Sequence, residues 1–234
     1  MNRLSVQIGF WSALLCALAF VAFAVCFVAV FATSPLFFWT DLADYVAYIQ
    51  ENGQFWANLA RLCMLIFAPA FIILLATIHD YTDDGKKVLI RISQSFGILF
   101  AAMIGIHYFV QLTAVRLSIQ QGQLTGMEQI VQANPLSAVS AINMLGITLF
   151  LGLASIFLVP IFSGGRAERV IRYAFLVNGI CCLIGFLSYI LQINVLLFLT
   201  INFGMGGAVT LATITLAILF RGMQKELGQT AMVA

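Results

Sequence analysis

Residues 8–32 read IGFWSALLCALAFVAFAVCFVAVFA, twenty-five positions in a row without a charged side chain. About 20 mostly apolar residues suffice for a helix to cross a bilayer, because every backbone amide must be satisfied within the hydrocarbon. Five further stretches meet that requirement, at about 57–79, 89–115, 137–162, 171–191 and 194–220. The chain of 234 residues is 62% hydrophobic and 9% charged, where soluble domains carry about one quarter charged residues. A soluble core cannot hide so much apolar side chain. The composition therefore excludes a soluble enzyme, a nucleic-acid-binding domain, a disulfide scaffold and a disordered chain. A net charge of +2 is too small to point to nucleic acid or another polyanion. The reading is an all-α, polytopic integral membrane protein, a single six-transmembrane-helix bundle over residues 1–234.

The segments between spans carry legible signals. Ser34-Pro35 and Asn134-Pro135 each place a capping side chain before a proline suited to a first helical position. Asn52-Gly53 reads as a helix stop, and Asp83-Asp84-Gly85 as a turn. The first outer connection mixes Phe37, Phe38, Trp39, Tyr45 and Tyr48 with Asp41, Asp44 and Glu51, the chemistry of a helix lying in the interface. Thr125-Gly126-Met127-Glu128 has a capping-box pattern, which predicts a short amphipathic helix in the second outer connection. No connection exceeds about 25 residues, so no separate soluble domain is expected.

Basic residues set the orientation. With a cytoplasmic N-terminus, Arg3, Lys86, Lys87, Arg91, Arg166, Arg169, Arg172, Arg221 and Lys225 fall inside, and only Arg61 and Arg116 outside. Both termini are therefore expected in the cytoplasm, with the protein in a bacterial inner (plasma) membrane. The first apolar run is too long for a typical signal-peptide core, so it is expected to be retained. All five cysteines (Cys16, Cys26, Cys63, Cys181, Cys182) lie in spans and read as small buried hydrophobes.

The third and fifth spans share a register, with Arg91, Tyr108 and Gln111 matched by Arg172, Tyr189 and Gln192. This suggests a weak parallel repeat of 57–111 and 138–192. Membrane-boundary chemistry alone also places arginine at inner ends and tyrosine near outer ends.

Polar groups within spans are costly and mark candidate sites. No Asp or Glu falls mid-membrane, which argues against an aspartyl protease or a carboxylate-driven pump. His79 and His107 are too few for a multi-histidine metal centre, and about 24 Å of helix rise separates them, too far for one haem. No metal and no cofactor is expected. The outer half is richer. His107 and Gln111 share a face of the third span with Tyr108 beside them, and Arg61 enters the second span near its outer edge. Asn143 and Asn202 sit at comparable depth on the fourth and sixth spans. Turned inward, Arg61, His107, Tyr108, Gln111, Asn143 and Asn202 would line a basic-to-neutral pocket for a small lipophilic or anionic ligand. The bland alternative is hydrogen bonding between helices. Gly204, Ala208 and Ala212 recur at four-residue steps and predict close helix packing. Phe20, Phe23, Phe27 and Phe31 form a ridge facing lipid or a partner subunit.

These residues favour a non-enzymatic protein that binds, senses or transports a small or lipid-like ligand, with membrane lipids around it. An accessory subunit of a larger complex, or a homo-oligomer, is the alternative. A membrane enzyme ranks third, with His79 and Asp84, or His107 and Tyr108, as its acid–base pair.

Overall fold

The computed structural model describes the backbone of residues 1–233 and the side chains of residues 1–229. Those residues form helices, turns and extended connections, with no strand among them. Among the described residues six helices are long and apolar enough to cross a membrane: Arg3–Thr33, Phe55–Tyr81, Asp84–Gln121, Ala138–Leu158, Arg166–Ile190 and Asn194–Gln229. They are numbered as the first to sixth spans, and the protein is an integral membrane protein of six-helix type. The end of the bundle carrying Arg61 is termed outer and the end carrying Arg166 inner, following the charge distribution.

Each span packs against its neighbours in sequence, and the sixth closes on the first, giving a ring of six helices. The inside of the ring is filled by side chains. Phe67 stacks on Phe71 with centroids 5.7 Å apart, while Phe20 and Phe100 meet Phe67 edge-on. Nearer the inner end, Phe162 stacks between Tyr81 and Phe175. Aromatic burial of this kind gives geometry as well as contact area. The phenylalanine ridge of the first span thus turns inward at Phe20, which is buried, while Phe31 stays exposed.

Polar bonds tie neighbouring spans together. Ser5 Oγ donates to Asp80 Oδ2 at 2.5 Å, Ser93 Oγ to the Ala154 carbonyl at 2.8 Å, and Asn178 Nδ2 to Ser155 Oγ at 2.6 Å. Interhelical bonds of this type contribute about 0.6–2 kcal/mol each. Glycine allows a close crossing of the fourth and fifth spans. A Cβ on Gly179 would lie 3.1 Å from the Gly152 carbonyl, and one on Gly152 would lie 2.9 Å from Cys182 Cβ. On the sixth span a Cβ on Gly204 would collide with Cys181, and Ala208 and Ala212 are buried. All five cysteines are unbridged.

Several boundaries differ from the sequence reading. Ser34 ends the first span instead of capping a new helix. The outer helix Leu42–Asn52 starts at Asp41, whose Oδ1 accepts from the Asp44 amide at 2.9 Å. Asn134 Oδ1 accepts from the Leu136 amide, and the fourth span is capped three residues later by Ser137. In both places proline follows a residue that bends the chain, and a better oxygen acceptor downstream starts the helix. Gly53, at φ +71°, closes the outer helix as its position after asparagine suggests. The third span stays helical beyond residue 115, with polar residues continuing it to Gln121. The second outer connection then holds only one 3-10 turn, Met127–Gln129, in place of an amphipathic helix. Gly126 there adopts φ +77° with no side-chain cap, so the capping-box residues never form the box.

The matched residues of the suggested repeat do different jobs. Tyr108 is buried, whereas the Tyr189 hydroxyl donates to the Pro135 carbonyl at 3.3 Å. Gln192 sits in the exposed turn between the last two spans at φ +57°, and Gln111 is buried in the bundle.

Candidate functional site at the outer end

Leu42 and Tyr45 of the outer helix pack with Val115, Met127 and Val131, forming an apolar cluster separate from the main core. This cluster pins the outer helix and the second outer connection over the bundle. Between the outer helix, the end of the first span and the start of the second lies an open cavity of about 510 Å³, whose walls include Phe31, Tyr45, Tyr48, Trp56, Arg61 and Gln132. Its lining thus combines aromatic rings with a guanidinium and side-chain amides, the mixture that suits an amphiphile.

Arg61 is 7% exposed. Its Nε donates to Gln132 Oε1 at 3.1 Å and its Nη1 to Asn58 Oδ1 at 2.7 Å. Among the described residues no carboxylate pairs with it. Two neutral amides satisfy hydrogen-bonding geometry but leave the charge uncompensated, and a buried ion costs several kcal/mol to desolvate. An anionic or strongly dipolar group in the cavity would offset that cost.

Gln132 is held from three directions. Its amide donates to Gln111 Oε1 at 3.0 Å, its carbonyl accepts from Ser140 Oγ at 3.1 Å, and its side chain takes Arg61. Gln111 completes the clamp by donating from Nε2 to the Ile130 carbonyl at 2.6 Å. Gln111 is therefore a strut for the second outer connection, standing behind the cavity wall instead of in it. A π-helical turn at Gln111–Val115 begins at this residue, a distortion found mostly at sites with a specific local task.

His107 is fully buried behind the same wall. Its Nδ1 lies 3.1 Å from the Val139 carbonyl, which can only accept, so Nδ1 carries the proton and Nε2 is left as an acceptor. Neither His107 Nε2 nor Asn143 Oδ1 has a hydrogen-bond partner. Asn143 stands one turn along from Val139 and so on the side facing the third span. Tyr108 is buried with its ring edge-on to His107 at 4.7 Å. Of the six sequence candidates, Arg61 lines the cavity, and Gln111, His107, Tyr108 and Asn143 form a buried polar layer behind it. Asn202 belongs to neither group: its Nδ2 donates to the Phe198 carbonyl of its own helix at 2.9 Å.

Asn58 and Gln132 were not legible as partners of Arg61. Asn58 precedes Arg61 by three residues, an i, i+3 spacing that could have been read from the sequence. Gln132 sits in a connection and gains its role only from the fold. At the inner end His79 Nδ1 lies 3.8 Å from Asp80, and Asp84 pairs with Lys87 at 2.7 Å, so His79 and Asp84 are not joined. Among the described residues no group of three metal-ligating side chains converges.

Comparison with protein families, curated proteins and solved structures returns no match for the chain.

Proposed function

We propose that this is a non-enzymatic membrane protein that binds a lipid-like ligand in the outer cavity, in order to sense or transport it. The ligand is an amphiphile with an anionic or strongly polar end, which meets Arg61, and an apolar part, which lies along the aromatic walls. The observation that carries the reading is the buried, carboxylate-free guanidinium lining the cavity. A cationic end would be repelled by Arg61 and is disfavoured.

The test is thermal stability of the purified protein with added phospholipids or fatty acids. A ligand at a hundred times its Kd stabilises the native state by about 2.7 kcal/mol. Wild-type protein is expected to gain several degrees in Tm with anionic amphiphiles, and Arg61→Gln to lose that gain while folding normally. An equal gain in both proteins contradicts the proposal.

A further inference from the structure

A second groove, on the lipid-facing side of the molecule and far from Arg61 in sequence, lies between the fifth and sixth spans. It encloses about 530 Å³ and is walled by Arg169, Tyr173 and Val177 on one helix and by Phe203, Gly207 and Leu211 on the other. On each helix these three recur every fourth residue, so each wall is a straight stripe of about 12 Å. Only one of these six residues is charged. Arg169 stands at the inner end, is exposed, and has no carboxylate partner among the described residues. Everything beyond it is apolar or aromatic. The groove is open at Gly207, which carries no side chain, and a Cβ placed there would meet nothing within 4 Å. Arg166 and Arg172 flank the same end, with the Arg172 guanidinium 5.2 Å above the Tyr173 ring.

From this charge complementarity we infer that the groove is a binding site for one anionic phospholipid, its phosphate against Arg169 and one acyl chain lying over Gly207. The arrangement sorts a lipid by both of its parts. The guanidinium selects negative charge, and the glycine opening accepts a chain that a larger side chain would displace. Nothing in this site overlaps the outer cavity, so it stands independently of the Arg61 reading.

Native mass spectrometry of the purified protein, titrated with phosphatidylglycerol or phosphatidylcholine of identical chains, tests it. Read as differences from the unsubstituted protein, binding at other sites cancels. One interfacial arginine is expected to favour phosphatidylglycerol about fivefold. Arg169→Gln should bring the two lipids toward parity, and Gly207→Phe should reduce retention of both. Gly207→Phe fits the open space at that position, so a loss is not explained by misfolding, and circular dichroism checks this. Equal retention of the two lipids by the unsubstituted protein overturns the inference. So does a preference that survives Arg169→Gln, or retention that survives Gly207→Phe. A dimer that dissociates on Gly207→Phe also overturns it, by assigning the groove to a second copy of this chain.

Discussion

Gln111 holds both halves of its side-chain amide against backbone groups of the second outer connection, at Ile130 and Gln132. Replacing it by leucine removes two buried hydrogen bonds and strands the Ile130 carbonyl and the Gln132 amide. At about 1 kcal/mol per lost bond plus the penalty for unsatisfied groups, Gln111→Leu is expected to cost about 2–4 kcal/mol in chemical unfolding. It should also loosen Gln132 from Arg61 and weaken ligand binding. Asn143 makes the opposite case, because its Oδ1 has no partner to lose. Asn143→Leu is expected to be neutral or stabilising without ligand, since an unpaired buried acceptor is itself a cost. A stability loss above about 1 kcal/mol in Asn143→Leu would show that this oxygen is bonded in the native protein. At this scale the sequence marked Arg61, His107, Gln111 and Asn143 because polar groups stand out against apolar runs. It did not mark which would face the cavity. That depends on rotation of each helix about its axis, and the second and third spans offer no charge contrast to fix it.

The fourth and fifth spans cross where Gly152 and Gly179 bring their backbones together. A side chain at Gly179 would press on Ile156 Cγ1 at 2.7 Å and on the Gly152 carbonyl at 3.1 Å. Ile156 can turn aside, but a backbone carbonyl cannot, so the helices must separate. Gly179→Leu is expected to destabilise by about 1–3 kcal/mol, whereas Gly207→Leu, built into open space, should be neutral or slightly stabilising. Unfolding midpoints of the two variants in the same detergent make the comparison. The spacing of Gly204, Ala208 and Ala212 was legible because it repeats within one helix. The Gly152–Gly179 pair was not, since each glycine is isolated in its own span and only antiparallel packing joins them. Helix ends followed the same division. Gly53 could be read because a left-handed residue after asparagine has few other uses. The caps Asp41 and Ser137 were missed because two prolines nearby offered a competing signal.

The whole molecule is a filled ring of six helices, and its number and approximate limits were legible because the hydrocarbon core dictates length and apolarity together. Ring closure by the first and sixth spans was not, since it rests on side-chain fit rather than pattern. The distribution of nine basic residues at one end against two at the other leads to the expectation that both termini lie on the cytoplasmic side. Reporter fusions at residue 234 and within 122–136 are expected to give opposite activities in cells; like activities would reverse or break that topology. With that topology the aromatic cavity would open at the external leaflet, where an amphiphile could arrive sideways from the membrane. The most direct measurement is an experimental density map of the full chain purified with its native lipid. An elongated non-protein feature is expected in the cavity, with its polar end within hydrogen-bonding distance of the Arg61 guanidinium and its tail between Phe31 and Trp56. A guanidinium turned out to bulk water above a cavity filled by protein side chains would contradict it.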